Sequence, residues 1–327
     1  MRAVEARSAG SPEVLSVVDR PEPAPGPTDL LVRVAAAGVN FIDTYRRAGV
    51  YPTDFPHVVG VEGAGTVEAV GTDVTGFAVG DRVAWAAAPG SYAEAVVVPA
   101  AEAVPVPDGL DLTTAAALPL QGMTAHYLVA STFEVGPGHD VLLTAGAGGV
   151  GLLATQLAAA RGGRVLTTVS TPEKAALSSA AGAAHTIDYA AMDDLATELP
   201  AVVRELTDGA GVHVAYDGVG AATFDASLAS LRPRGTLVLF GGASGQVPPF
   251  DLQRLNAAGS LYVTRPTLAH YTATRAELEW RAAEVLGAAA DGDLDVRVGA
   301  TYPLADAAEA HRALEARRTT GKVLLVP

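Results

Sequence analysis

Val141-Leu-Leu-Thr-Ala-Gly146-Ala-Gly148-Gly149-Val150-Gly151 is the stretch whose reading decides the fold. Its first half is a short apolar, β-prone run and its second a glycine cluster. The residues that follow, Leu152-Leu-Ala-Thr-Gln156-Leu, favour a helix. Glycines 146, 148 and 151 satisfy G-x-G-x-x-G directly after a strand and at the opening of a helix, the context that gives the pattern meaning. The first glycine permits a tight turn, the second lets backbone approach a pyrophosphate, and the third allows close helix–strand packing. Unpaired N–H groups and the positive end of the helix dipole then favour phosphate. The expectation is a dinucleotide site in a parallel α/β domain. The bland alternative is a glycine-rich packing turn in a chain rich in alanine.

Working outward, strand and helix patterns alternate downstream of residue 141. Strands are predicted over 141–145, 164–169, 185–187, 212–216 and 236–240, and helices over 150–161, 172–181, 193–207 and 222–231. A strand over 260–263 ends the run. Such alternation implies right-handed βαβ units and a parallel sheet covered on both faces. Upstream the texture differs: in residues 1–120, β-prone runs at 30–34, 66–70, 82–85 and 95–98 are separated by Gly, Pro and Asp clusters. Pro21, Pro23, Pro25 and Pro27 form an extended connector. Residues 40–51 read as a loop, broken by Gly38, Gly49 and Pro52. Beyond 265, helices are predicted over 275–290 and 304–317 and a strand over 322–326.

The end of the second strand selects the nicotinamide. An NAD site carries Asp or Glu there to hold the ribose 2′-OH. Here the segment runs Thr168-Val-Ser170-Thr171-Pro-Glu173-Lys174, with no acid at the strand end. Ser170, Thr171 and Lys174 are candidates to hold a 2′-phosphate, which favours NADPH. The alternative for Lys174 is a solvated helix residue.

Composition excludes other classes. Lys and Arg number 22 against 36 Asp and Glu, a net charge of −14 without any long basic run, which argues against a nucleic-acid partner. No cysteine is present, so disulfides, thiolate metal sites and cysteine nucleophiles are ruled out. The seven histidines show no metal-ligand spacing, and no G-x-S-x-G is found. Hydride transfer without a Lewis acid calls for an electron-poor acceptor such as a quinone or an enone. Two uncharged stretches, 112–133 and 141–160, are broken by Pro119 and by the glycine cluster, so no membrane association is expected. With an early acid and no apolar leader at the N-terminus, the expected location is cytoplasmic.

This combination resembles the zinc-independent quinone oxidoreductases, the zeta-crystallin-like branch of the medium-chain dehydrogenase/reductases. The resemblance covers essentially the whole chain: Gly10-Ser-Pro-Glu-Val-Leu15, Gly38-Val-Asn40-Phe-Ile-Asp43-Thr-Tyr45, Gly49-Val-Tyr51-Pro52, Gly60-Val-Glu62-Gly63-Ala-Gly65 and Gly80-Asp-Arg-Val83. It continues through the glycine cluster with Gln156, Asp217-Gly-Val-Gly220, Gly259-Ser-Leu-Tyr-Val-Thr-Arg265-Pro266 and Gly321-Lys-Val-Leu-Leu. Zinc relatives carry Cys at or beside Val39 and His at Val61. Ala159 departs from the family's preference for Lys, Arg or Ser there.

The resemblance implies a Rossmann domain, residues 123–265, inserted into a GroES-like, β-rich catalytic domain formed by 1–122 and 266–327. It implies that Asn40, Tyr45 and Tyr51 face the nicotinamide end as catalytic residues, with Thr124 nearby. Gly148, Gly149 and Val150 would meet the pyrophosphate, and Ser170, Lys174 and Tyr189 the adenosine phosphate. Phe240, Gly241, Ser244, Val263, Arg265 and Arg317 would line the rest of the cofactor site, and the chain would form a homodimer through the edge strand at 260–263. Each residue also has a plainer reading. Tyr45 and Tyr51 could be packing aromatics, Asn40 a turn residue, Arg265 a surface ion pair, and Asp43 and Glu62 scaffold carboxylates. An enoyl or alkenal reductase, or an NADPH-binding protein with little turnover, remain the alternatives to a quinone reductase.

Overall fold

A computed structural model describes all 327 residues, and the chain divides into two units. One comprises Met1–Met123 with Thr272–Pro327, the other Thr124–Tyr271.

The second unit is built on six parallel strands ordered His185–Asp188, Arg164–Val169, Asp140–Leu143, Val212–Asp217, Leu231–Leu239 and Tyr262–Thr264. In chain order this is 3-2-1-4-5-6, the doubly wound arrangement in which the strand direction of winding reverses beside the first strand. Helices Gly149–Ala160, Pro172–Ala180, Leu195–Leu206 and Phe224–Ala229 connect consecutive strands. Leu142, Leu166, Val212 and Leu237 from the strands pack with Leu199, Val203 and Phe224 from the helices. Element boundaries shift by a few residues from expectation, and two of the shifts have a visible backbone cause. The fifth strand begins at Leu231, well before residue 236, although Pro233 lacks a donor and Arg234 is left-handed (φ 62). Its register against Val212–Asp217 breaks in that segment, so those residues skip the ladder. The last strand begins at Tyr262, because Ser260 is itself left-handed (φ 58) and cannot join an extended ladder.

The first unit is antiparallel for the most part. Arg2–Ala6 pairs with Leu15–Asp19 and His57–Val58, and a larger sheet runs Val298–Pro303, Lys322–Val326, Asp29–Val39, Glu62–Val70, Arg82–Trp85 and Val104–Pro105. Ala95–Pro99 also pairs with Asp29–Val39. The closing strand Lys322–Val326 sets Val323 against Val39 and Leu325 against Ala37, so the C-terminal tail completes a sheet begun near the N-terminus. Trp85, Tyr92 and aliphatic side chains of both faces fill the core.

The segment read as a loop contains a helix, Phe41–Arg47. Its start is a capping box: the Asp43 carboxylate accepts from the Asn40 amide at 2.9 Å, and Arg46 and Arg47 sit in the last turn, where they complement the dipole. The uncharged stretch 112–133 also folds as helices, Leu112–Ala116 and Pro119–Tyr127, followed by a wider turn at Leu128–Thr132. No helix is long and apolar enough to cross a membrane.

Candidate functional site

The parallel sheet delivers the ends of its strands to one edge. The first strand leads into the glycine loop, with Gly148 as the N-cap of helix Gly149–Ala160. The tight turn falls on Ala145 (φ 56), not on Gly146. Gly146 is required for space: a Cβ there would stand 2.5 Å from Thr167 Cβ and 2.8 Å from Ser178 Oγ. At Gly151 a Cβ would overlap the Ala145 carbonyl oxygen and come within 3.0 Å of Gly146 backbone carbons. Gly148 is different. Its backbone is extended (φ −75, ψ 170), and a Cβ would meet only the Ala145 carbonyl oxygen, at 3.2 Å. The chain's own packing therefore explains two of the three glycines and leaves the third for something that approaches from outside. The first-turn amides of Gly149 and Val150 have no intrahelical acceptor and lie half-buried beside it.

The second strand ends at Val169, which is paired with Asp188 of the third, so Ser170 and Tyr189 leave the sheet side by side. Thr171 caps helix Pro172–Ala180 by accepting from the Lys174 amide at 3.2 Å, and Lys174 Nζ lies 3.4 Å from Ser170 Oγ. Ser170, Thr171, Lys174 and Tyr189 are thus brought together, with three of the four half-buried and Thr171 exposed.

Next to the glycine loop, Asp217 is fully buried and organises the turn after the fourth strand. It accepts from the amides of Val219 (2.8 Å) and Gly220 (3.1 Å) and from the hydroxyls of Thr223 (2.7 Å) and Ser227 (2.7 Å). Phe240 and Gly241 follow the fifth strand, both amides donating to the Asp217 carbonyl. Ser244 joins two loops: its Oγ donates to Val219 O at 2.8 Å and accepts from Ala222 N at 2.9 Å. Val263 is exposed on the edge strand, and Arg265 donates to the Leu239 carbonyl at 3.0 Å.

In the other unit, helix Phe41–Arg47 carries Tyr45, whose ring meets Tyr51 edge-on at 5.7 Å and Phe41 at 6.0 Å. Both tyrosines are half-buried. Asn40, expected to face the nicotinamide end, has its side chain engaged within the fold. Asn40 is 3% exposed; its Nδ2 donates to Glu62 Oε2 (2.6 Å), and its Oδ1 accepts from Lys322 Nζ (2.8 Å) and Gln121 Nε2 (3.2 Å). Burial beside a charged pair consumes every polar atom of the side chain. Glu62 also ion-pairs with Lys322 and accepts from Leu120 N at 2.7 Å. Thr124 is buried on helix Pro119–Tyr127, and Arg317 stands exposed and left-handed (φ 56) after helix Ala307–Glu315.

A second buried chain holds the same short helix. Arg47 Nη1, a donor only, meets His311 Nδ1 at 3.1 Å, so the imidazole proton sits on Nε2 and faces Tyr92 Oη at 3.3 Å. Tyr92 donates to Asp43 Oδ2 at 3.0 Å. Burial, with the Arg47 charge beside it, lowers His311 to about 3. Burial raises Asp43 to about 7 against the pull of the Asn40 amide, Tyr92 and Lys322, and Asp43 Oδ1 has no partner. Asp43 and Glu62 are therefore scaffold carboxylates, each bound to neighbours within the fold. The sequence offered one signal for the missed Lys322: a lone charge opening an apolar run, Lys322-Val-Leu-Leu-Val.

No group of three or more His, Cys, Asp or Glu side chains stands together in a way that could hold a metal ion. Residues 26–108 match the family model described as alcohol dehydrogenase GroES-like domain, and residues 149–283 the one described as zinc-binding dehydrogenase. The quinone oxidoreductase of Pseudomonas aeruginosa is 47% identical over 100% of this chain and 99% of its own length. The 2-haloacrylate reductase of a Burkholderia species is 42% identical over 93% of this chain and 92% of its own. A mycobacterial protein solved in complex with NADPH superimposes with a TM-score of 0.97 at 55% identity, covering 100% of both chains. With relatives of this kind matching from end to end, on a doubly wound sheet inserted into a GroES-like unit, the chain belongs to the quinone oxidoreductase family of the medium-chain dehydrogenase/reductases.

Proposed function

We propose that the protein is an NADPH-dependent oxidoreductase that reduces a quinone to a hydroquinone without a metal. The observation that carries this reading is Gly148. An added Cβ there would meet a single backbone oxygen, at 3.2 Å, so packing asks less for glycine here than at Gly146 or Gly151. The position lies at the N-terminus of a helix beside the strand-order reversal. The residues fit NADPH. The amides of Gly149 and Val150 would receive the pyrophosphate, and Ser170, Lys174 and Tyr189 the adenosine phosphate, with Thr171 holding the helix that presents Lys174. Phe240, Gly241, Val263, Arg265 and Arg317 would complete the cofactor site, with Thr124 toward the nicotinamide. Bound NADPH supplies a hydride, and the quinone takes that hydride and a proton. Tyr45 and Tyr51 would border the acceptor, Tyr51 offering a hydroxyl to the oxygen where negative charge develops. Quinol oxygens take protons readily from water, so a dedicated acid is not required.

A second reading, reduction of an activated alkene, is favoured by the Burkholderia relative's name. That chemistry places the hydride on one carbon and a proton on its neighbour, and gains more from a positioned donor. Steady-state assays of a quinone series and an enone series with NADPH and NADH test both. Turnover of quinones with NADPH is expected; turnover of enones alone would favour the second reading, and no turnover of either would sink both.

We also propose a homodimer through the last parallel strand. Tyr262–Thr264 is hydrogen-bonded on one side only, and Tyr262 is 62% exposed. An open edge with an exposed aromatic suits pairing with a second copy.

A further inference from the structure

We propose that Lys322 is a positioning residue of the acceptor site, acting through Asn40; this rests on the functional reading above. Lys322 opens the last strand and is 2% exposed, and its partner Glu62 is 0% exposed. Burying such a pair is not a route to stability, because well-packed apolar residues in its place are often neutral or better. Yet the fold makes room for it. A Cβ at Gly38 would come within 2.7 Å of Glu62 Cδ and 2.8 Å of Lys322 Cε, so the strand beside the pair is held to glycine.

What the pair achieves is orientation. An ammonium only donates and an ionised carboxylate only accepts, so the Asn40 amide has a single permitted setting: Oδ1 toward Lys322 (2.8 Å), Nδ2 toward Glu62 (2.6 Å). That fixed oxygen also takes Gln121 Nε2 at 3.2 Å, which sets the second amide in turn. The free oxygen of Glu62 accepts from Leu120 N (2.7 Å), one of the orphan amides in the first turn of helix Pro119–Tyr127. One ion pair therefore fixes the N-cap of the helix that carries Tyr45 and the start of the helix that carries Thr124. Asn40 is then a relay, and the groups it positions are Tyr45 on that helix and Tyr51, just beyond the helix, whose ring meets Tyr45 edge-on.

The test compares Lys322→Met, Lys322→Arg and the double variant Lys322→Met with Glu62→Leu. Lys322→Met alone leaves Glu62 buried and unpaired, and is expected to lower Tm. The double variant removes both charges and should recover Tm, while kcat/KM for the acceptor stays at least about tenfold below wild type and NADPH Kd moves by less than about twofold. Lys322→Arg should keep most of both. A second readout is independent of turnover: the Asn40 and Gln121 side-chain NH2 resonances should be dispersed and protected from solvent exchange in the wild type and Lys322→Arg, and move to free-amide shifts with fast solvent exchange in the double variant. Recovery of kcat/KM together with Tm, or unchanged NH2 resonances in the double variant, would overturn the proposal. If the wild type turns over neither quinone nor enone, the functional reading fails instead, and the amide resonances still decide the orientation claim.

Discussion

Replacing Gly148 and Gly151 by alanine, one at a time, separates what the glycine loop does for the fold from what it does for a ligand. Alanine adopts the extended backbone of Gly148 without strain, and the added methyl touches one carbonyl oxygen at 3.2 Å. Loss of a preferred N-cap glycine and gain from a stiffer unfolded chain are each below about 1 kcal/mol and oppose one another. Tm should therefore shift by less than about 2 °C. At Gly151 the methyl meets backbone of Ala145 and Gly146, which cannot rotate aside. Overpacking of this kind costs about 1–3 kcal/mol, roughly 1.5–4.5 °C in a chain of this size. Binding should reverse the ranking in specificity: on the proposed reading, Gly148→Ala would put its methyl in the path of a phosphate oxygen approaching the Gly149 and Val150 amides. Losing about 2 kcal/mol there raises NADPH Kd about thirtyfold in a stable protein. Calorimetry without cofactor and a fluorescence titration with NADPH measure the two effects. A Gly148→Ala protein that binds NADPH like wild type would refute the phosphate cradle, and a Gly151→Ala protein with unchanged Tm would refute the packing argument.

Lys174→Ala should weaken NADPH by at least about tenfold and leave NADH nearly unchanged, since a charge-assisted contact to one phosphate is lost; equal loss for both cofactors counts against that role. Tyr51→Phe should lower kcat on an enone more than on a quinone with NADPH affinity spared, and rates within about twofold on both would make Tyr51 a wall of the pocket. Asp43 and His311 give stability opposite pH dependences. Asp43, raised from 3.8 to about 7, contributes stability at low pH that is lost as pH rises toward 7, whereas His311, lowered from 6.5 to about 3, contributes stability above 6.5 that is lost as pH falls toward 3. His311→Gln removes the second contribution, so its Tm should fall relative to wild type as pH goes from about 4 to 7, and parallel curves would count against the linkage. Tyr262→Lys should shift sedimentation toward the 33.1 kDa species, and an unchanged profile would exclude the edge strand as the interface.

The α/β unit was legible because its signals are local. Hydrophobic runs of strand length, helix-forming runs between them and a glycine spacing are each contained within a few residues, and the bounds 164–169 and 322–326 came out unchanged. The grouping of Ser170, Thr171, Lys174 and Tyr189 was also foreseeable, since a parallel register brings successive strand ends together. Helix Phe41–Arg47 was less legible. It spans seven residues between glycines, too few for periodicity, and its only mark was Asn40 three residues before Asp43. Which polar groups are already committed was not written locally at all. Asn40 and Ser244 look available in sequence, but Lys322 lies 282 positions from Asn40, and Ser244 reaches loops 22 and 25 positions away. Residue type sets what a side chain can donate or accept; only the tertiary fold, by burying distant partners against one another, decides which of those capacities remain for a ligand.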